Sequence, residues 1–311
     1  MKTSRMPHAA CMGLVLALGC QARAGDGGGS ASSVVEFKGT TAMSYVEKQL
    51  SFGPRIPNTP AHDKMGDWLA TELRTRADTV IVQSFQQKTA KGQTLKLANY
   101  LAQFHPKATE RILFLAHWDT RPMADKSANL AQQRMPVPGA NDGASGVAVL
   151  LGVADALKAK PVPDNLGVDL LFVDGEDYGD FSDSTETLIG SRYFAKHLPP
   201  GYSTLYAVLF DMIGDKDLDI QQEGFSLANA PEVVQRVWQT ADRLGYSRYF
   251  QPRVGETLTD DHVPLQHAGI RAIDVIDFNF PYHHTTDDTL DKVSAESLQI
   301  IGNVAVALIR Q

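Results

Sequence analysis

Acidic and histidine side chains follow short apolar segments at several places in this 311-residue chain. His117 follows one such segment, Glu176 and Asp177 come shortly after a second, and Asp211 ends a third. Carboxylates and imidazoles can bind a metal ion, and they can also accept and release protons during a reaction. These residues belong to a larger set of the same chemical types: His117, Asp142, Glu176, Asp177, Asp211, Asp260, Asp261, His262 and His284.

The apolar segments predict the elements that position this set. Segments that are apolar along nearly their whole length are typical of strands buried on both faces, as in a parallel sheet. Such segments cover residues 112–116, 168–173, 205–210 and 272–276. Apolar residues recur at the spacing of a helix in residues 146–157, 188–197, 231–244 and 294–308. Nearer the N-terminus, the β-rich stretches are residues 79–85 and 95–104, which predict an antiparallel pair of strands.

The alternation of strands and helices predicts an α/β fold with three layers, α/β/α. Its central sheet is expected to be twisted and mostly parallel, with an antiparallel edge. In such sheets ligands bind beyond the carboxyl ends of the strands, which is where the acids and histidines stand. So many like charges in one crevice repel one another unless protons or a cation neutralise them. We therefore expect a divalent metal bound by carboxylate and imidazole, with zinc as the best candidate.

Composition restricts the class of protein. The contents of 43% apolar and 21% charged residues are ordinary for a protein with a sizeable buried core. A net charge of −7 gives the chain no electrostatic reason to bind nucleic acid or an anionic membrane surface. Cys11 and Cys20 are the only cysteines and precede the predicted domain, which excludes a thiolate zinc site and a cysteine enzyme.

Residues 1–24 are predicted to be an export signal. Lys2 and Arg5 precede an uncharged apolar run that is too short to span a bilayer. Cleavage after Ala24 would release a soluble protein, whereas cleavage before Cys20 would leave a lipoprotein anchored through that cysteine. Both alternatives predict a periplasmic or cell-envelope protein. A flexible Gly- and Ser-rich tether is expected over residues 25–34, followed by one catalytic domain over residues 35–311.

Seven short motifs stand in an order that resembles the zinc aminopeptidase superfamily. They are H-W-D at 117–119, A-N-D-G-A-S-G at 140–146, D-G-E-D at 174–177, G-S-R-Y-F-A at 190–195, D-M-I-G at 211–214, T-D-D-H-V-P at 259–264 and H-H-T-T-D-D at 283–288. Within that superfamily the chain is most similar to the bacterial glutaminyl cyclases, which are glutaminyl-peptide cyclotransferases. The resemblance extends from about residue 52 to the C-terminus.

The resemblance implies one zinc ion held by Asp142, Asp177 and His284, with Glu176 as the acid and base of the reaction. Family members usually carry Glu where Asp177 stands, so this ligand has an altered reach here. The implied substrates are peptides or proteins with an N-terminal glutamine, which becomes pyroglutamate as ammonia is released. Zinc would polarise the γ-carbonyl of that glutamine, and Glu176 would move a proton from its amine to the leaving ammonia.

The aminopeptidases of the superfamily use the same positions to hold two zinc ions. In that alternative Asp142 bridges the ions, and His117 and Asp211 complete the second site. In the cyclases the Asp211 equivalent instead hydrogen-bonds a further carboxylate, which matches Asp260. Two buried carboxylates can share a proton without a second metal, so Asp260 favours the cyclase. A catalytically inactive binding module is a third alternative, which is disfavoured because every ligand position holds a competent residue.

Three further residues are candidates for the substrate pocket. Trp118 and Phe280 could wall it, or they could be ordinary core aromatics. His283 stands where animal glutaminyl cyclases typically carry Trp and where many aminopeptidases carry Tyr. It could bind substrate or lie in solvent, and Tyr282 could supply aromatic surface in its place.

Overall fold

A six-stranded sheet lies at the centre of this computed structural model, which describes Met1, residues 37–181 and residues 185–311. In chain order the strands are β1 (Thr79–Lys88), β2 (Thr94–Phe104), β3 (Glu110–His117), β4 (Leu166–Val173), β5 (Tyr206–Asp211), β6 (Ile220–Gln222), β7 (Phe250–Val254) and β8 (Ala272–Ile276). The central sheet has the order β1-β2-β4-β3-β5-β8, and β6 pairs with β7. Apart from Met1, the predicted export signal and tether lie outside the described residues.

The direction of the strands follows the predicted pattern. Strands β4, β3, β5 and β8 run parallel to one another, whereas β1 with β2 and β2 with β4 pair in antiparallel fashion. Strand β5 is buried along its whole length, and β3 and β4 are buried except at their first residues. Strand β1 lies at the edge and has no fully buried residue. The mostly parallel sheet with an antiparallel edge is therefore confirmed.

Helices cover both faces of the sheet. They are α1 (Gly39–Leu50), α2 (Pro60–Arg74), α3 (Ala144–Ala159), α4 (Ile189–Lys196), α5 (Gly224–Asn229), α6 (Pro231–Arg243), α7 (His262–His267) and α8 (Ala295–Ile309). Successive residues of β3 face opposite sides of the sheet. Phe114 packs in a core with residues of α1, α3 and α8, whereas Leu113 and Leu115 pack in a second core with residues of α4 and α7. The helices on the two faces and the sheet between them form the three layers. Within the described part of the chain, no helix is both long and apolar enough to cross a membrane.

Four short elements were not predicted from the sequence. Strand β6 has three residues, and most of β7 is exposed, so neither forms an apolar run. Helices α5 and α7 have six residues each. Segments of this length are too short to show a hydrophobic period, which is the signal on which the prediction depends.

The ends of the parallel strands bring the predicted site residues to one edge of the sheet. His117 is the last residue of β3, and Asp211 is the last residue of β5. His117 pairs in register with Val173, the last residue of β4, and Glu176 follows three residues later. The loop that carries Asp142 leads directly into α3. The fold therefore places these side chains around a common space beyond the sheet, as expected for this architecture.

Candidate metal centre and active site

Asp142 lies at the centre of a buried group of acids and imidazoles. Its Oδ1 lies 3.0 Å from Nε2 of His117, and the same nitrogen lies 3.2 Å from Oδ1 of Asp211. The other carboxylate oxygen of Asp142 faces His284, whose Nε2 lies 3.7 Å from it. Although burial opposes the shift, the hydrogen bond and charge of His117 lower the pKa of Asp142 below its usual range. Asp142 is thus held as a carboxylate that faces two imidazoles from opposite sides.

His284 lies near both of the other residues expected to hold the metal. Among the described residues, however, the groups whose donor atoms all lie within 4.8 Å of one another are Asp142 with His283 and His284, and His117 with Asp142 and Asp211. Nε2 of His284 lies 3.2 Å from Oδ1 of Asp177 and 3.7 Å from Oδ2 of Asp142. Zinc bonds of about 2.0–2.2 Å in tetrahedral geometry separate neighbouring donor atoms by about 3.3–3.6 Å. In addition, Oδ2 of Asp177 is buried, and none of the described residues donates a hydrogen bond to it. An unsatisfied carboxylate oxygen beside an imidazole is the type of group that a metal ion would satisfy.

Two further buried carboxylates fix the backbone beneath these ligands. Asp119 accepts hydrogen bonds from the backbone N–H groups of Glu176 and Asp177, at 3.0 and 3.2 Å. Asp288 accepts from the N–H groups of Asn141 and Asp142, at 2.8 and 3.1 Å. Each acid therefore orients two consecutive residues of a ligand-bearing loop. The motifs H-W-D and H-H-T-T-D-D contain these two acids, but the sequence did not reveal what they would contact.

Arg121 is a cation of the site that was not predicted. Its Nη1 donates to Oδ1 of Asp177 at 2.8 Å, and its Nη2 donates to Asp125 at 2.7 Å. The guanidinium group thus compensates part of the negative charge and holds one oxygen of Asp177 in place. Arg121 lies four residues beyond β3 in a loop without a recognisable pattern, so no signal in the sequence marked it.

Glu176 lies in a buried and acidic environment that suits proton transfer. Burial raises the pKa of its carboxyl well above the usual range, and the nearby charges of Asp177, Asp260 and Asp261 add to the effect while His117 opposes it. Its Oε2 lies 3.9 Å from Nδ1 of His117. A carboxyl group with a raised pKa can both accept and donate a proton near neutral pH.

Three buried acids are near enough for their charges to interact: Asp211, Asp260 and Asp274. Burial, followed by the charge of Asp211, raises the pKa of Asp260 to about 7. Burial and the carboxylates of Asp260 and Asp211 raise the pKa of Asp274 well above its usual range. The group therefore carries protons and fewer than three negative charges near neutral pH.

This cluster differs from the expected pair of Asp211 and Asp260. Among the described residues, His117 contacts the Asp211 side chain at 3.2 Å, and Asp211 and Asp260 interact through their charges. Asp274 lies in the middle of β8, within an apolar run that predicted only a strand. The sequence therefore indicated the acidic character of this region but missed its third member.

A cavity with a volume of about 410 Å³ opens onto the site. Its walls include the predicted residues Asp142, Glu176, Asp211, Asp260, His283 and His284. Phe181 and Phe278 contribute aromatic surface to it, and both are partly exposed. The cavity has a size that suits a small ligand or the end of a peptide.

Trp118 and Phe280 do not line this cavity, which corrects the prediction that they could wall it. Trp118 extends the pairing of β3 by donating its backbone N–H to Val173, so its side chain points away from the side that His117 faces. Its indole stacks on His62 at 4.3 Å between ring centres. Phe280 is buried in a small apolar cluster that includes Met212. Both residues are therefore core aromatics.

The Asp119 carboxylate offers a test of how the ligand loops are held. Asp119→Asn keeps the size of the side chain but replaces one acceptor oxygen by a donor, so it cannot accept from both N–H groups. We expect metal affinity to fall by about 10–100-fold, as for other residues that orient ligands. Titration of the protein with zinc in competition with a chelator measures this change. Asp291→Asn, at an exposed position, is the matched control, and equal affinities of the two variants would contradict this role.

Comparison with known proteins places this geometry in a family. The model of peptidase family M28 matches residues 99–309. A solved Porphyromonas gingivalis glutaminyl cyclase is 38% identical, with 88% of this chain and 98% of that chain covered and a TM-score of 0.85. A Zn-dependent exopeptidase from Parabacteroides distasonis is 34% identical, with 88% and 99% covered and a TM-score of 0.84.

A curated relative extends the comparison to animals. The glutaminyl-peptide cyclotransferase of Drosophila melanogaster is 24% identical over 274 residues, which cover 80% of this chain and 75% of that protein. The family match covers more than half of the chain and includes the loops that carry Asp142, Asp177 and His284. The chain therefore belongs to peptidase family M28, in the branch of that family that contains the bacterial glutaminyl cyclases.

Proposed function

We propose that this protein is a zinc-dependent glutaminyl-peptide cyclotransferase, which converts the N-terminal glutamine of peptides or proteins to pyroglutamate and releases ammonia. The observation that carries the proposal is the position of Glu176. This buried carboxyl shares one cavity with the candidate metal ligands Asp142 and His284. The similarity to bacterial glutaminyl cyclases over 88% of the chain supports the same reaction.

The reaction needs little more than orientation and proton transfer. The α-amine nitrogen of the substrate attacks the carbonyl carbon of its own side chain, a C–N bond forms, and the bond to the amide nitrogen breaks. Because both reacting groups belong to one residue, the cavity must bind the folded conformer and exclude water. Glu176 accepts a proton from the attacking amine and returns it to the departing nitrogen, which leaves as ammonia.

Asp142, Asp177 and His284 are the residues that would hold the metal. A zinc ion bound there supplies a Lewis acid for the γ-carbonyl oxygen as negative charge develops on it. Asp211 and Asp260 lie in the wall of the same cavity, where they can orient the amine of the substrate or relay its proton. His117 connects the two groups because its Nε2 contacts both Asp142 and Asp211.

An acid cluster that can share protons would need one zinc ion rather than two. A second ion in the aminopeptidase manner would require Asp211 as an ionised ligand. Burial raises the pKa of Asp211, and the nearby carboxylates of Asp142 and Asp177 raise it further while His117 opposes them. A proton shared among Asp211, Asp260 and Asp274 neutralises charge that a second ion would otherwise compensate.

A di-zinc aminopeptidase is the second candidate function, and one observation favours it. Ligand atoms of His117, Asp142 and Asp211 all lie within 4.8 Å of one another, which is close enough to hold an additional ion. The related Zn-dependent exopeptidase from Parabacteroides distasonis has nearly the same similarity as the cyclase. An inactive binding module has less support because every position expected to bind metal or transfer a proton holds a competent residue.

Two peptides that differ only in their first residue separate the candidates. With a peptide that begins with glutamine, we expect release of one ammonia per peptide and a product blocked to N-terminal sequencing. With the matched leucine-initiated peptide, we expect no cleavage. Mass spectrometry and an ammonia assay measure both outcomes. Removal of leucine, with glutamine left uncyclised, would instead establish an aminopeptidase.

The role of Glu176 is tested by Glu176→Gln, which preserves shape and removes the proton acceptor. We expect turnover of the glutamine peptide to fall by at least about 100-fold because general acid–base catalysis contributes at this scale. Zinc content should remain that of the wild type, which elemental analysis checks. Glu47→Gln, at an exposed position on α1, is the control variant. Retained turnover in Glu176→Gln would remove Glu176 from the mechanism.

Export of the protein to the periplasm or the cell envelope is part of the proposal. Three features support a cleaved signal: the positively charged start with Lys2 and Arg5, the apolar run after it, and the Ala-Arg-Ala site that ends at Ala24. Cys20 supports the alternative of a lipid anchor. Mass spectrometry of the mature N-terminus distinguishes the two, and an intact N-terminus at Met1 in the producing cell would contradict export.

A further inference from the structure

His283 occupies a position from which it can reach the candidate metal ligands. Its Nε2 lies 3.9 Å from Oδ2 of Asp142, the same oxygen that Nε2 of His284 approaches to 3.7 Å. One donor atom each from Asp142, His283 and His284 lie within 4.8 Å of one another. Two adjacent imidazoles thus converge on one carboxylate oxygen, at distances close to those between the ligands of one zinc ion.

Asp177 gives a reason for an additional donor in this chain. It stands where the resemblance expects glutamate, and its side chain is one methylene shorter. Its Oδ1 is also engaged by Nη1 of Arg121 at 2.8 Å. Within the described part of the chain, its Oδ2 has no hydrogen-bond partner. A ligand that is both shorter and partly committed to a cation leaves room for another donor at the ion.

We propose that His283 is itself a ligand of the metal, in a set that comprises Asp142, Asp177, His283 and His284. This inference rests on the proposed function because it concerns the same ion. Two carboxylates and two neutral imidazoles balance the charge of a divalent cation. The donor set of oxygen and nitrogen suits zinc, for which imidazole is a preferred ligand.

A fourth protein donor has a consequence for substrate binding. Catalytic zinc sites generally use three protein ligands and keep one position open. His283 is the most exposed of the four donors, with 15% of its side chain accessible against 7% or less for the others, and it lines the cavity. A substrate carbonyl would therefore compete with His283 for its position, while Asp142, Asp177 and His284 would keep the ion in the protein.

Lys126 is the group that opposes this arrangement. Its Nζ lies 3.0 Å from Nδ1 of His283. When Nε2 binds a metal, the imidazole proton resides on Nδ1, which then cannot accept a hydrogen bond from an ammonium group. Nζ of Lys126 also lies 5.6 Å from the centre of the Phe278 ring. The ammonium group therefore has an aromatic ring to contact in place of His283. Removal of the Lys126 ammonium should accordingly favour binding by His283.

X-ray absorption spectroscopy of the full zinc-loaded chain tests the proposal by counting imidazole ligands. We expect two imidazoles in the wild type and one in His283→Ala, with zinc affinity lowered at least 10-fold in a chelator competition. His267→Ala, which removes an exposed histidine of α7, should leave both quantities unchanged. Lys126→Met should retain two imidazoles and bind zinc at least as tightly as the wild type.

The outcomes separate this inference from the proposed function. One zinc ion with a single imidazole in the wild type, and unchanged affinity in His283→Ala, would overturn the role of His283 and leave the cyclase proposal standing. Absence of bound zinc in the wild type would overturn both. The wild-type imidazole count decides the question even if His283→Ala does not fold.

Discussion

Repulsion among buried carboxylates is the constraint on which the rest of this structure depends. Asp142, Glu176, Asp177, Asp211 and Asp260 all line or approach one cavity, and each is almost completely removed from solvent. Like charges at this distance in a medium of low polarity cannot all persist without compensation. His117 and Arg121 supply part of the positive charge, and shared protons supply another part. The divalent ion that we propose at Asp142, Asp177 and His284 would compensate the remainder.

The surrounding backbone is organised to hold this unfavourable arrangement together. Asp119 and Asp288 each accept two backbone N–H groups below the ligand loops, which limits how far the acids can move apart. His284 has a positive φ of 57°, a conformation that a residue with a side chain adopts only at some cost. Residues in such strained conformations persist where the surrounding structure holds the backbone in place, and they concentrate at functional sites. The packed three-layer fold provides that support.

The larger features of the fold were predictable because they depend on hydrophobic patterning. Strands buried on both faces leave long apolar runs, as at β4 and β5, and parallel strands must end at one edge. That reasoning was sufficient to bring His117 and Asp211 into one crevice. The direction of individual side chains was not predictable in the same way: Trp118 is adjacent to His117 in sequence but packs on His62 in the core. Arg121 and Asp274 contribute through tertiary contacts that no local pattern records.

The most direct test of this account is the position of bound metal in the protein. Crystals of the zinc-loaded chain, measured at the zinc absorption edge, reveal the ion through its anomalous scattering. We expect one strong peak per chain, within bonding distance of Asp142, Asp177 and His284. A protein that binds no zinc, or a peak remote from these three residues, would contradict the claim that a metal ion neutralises the acidic crevice.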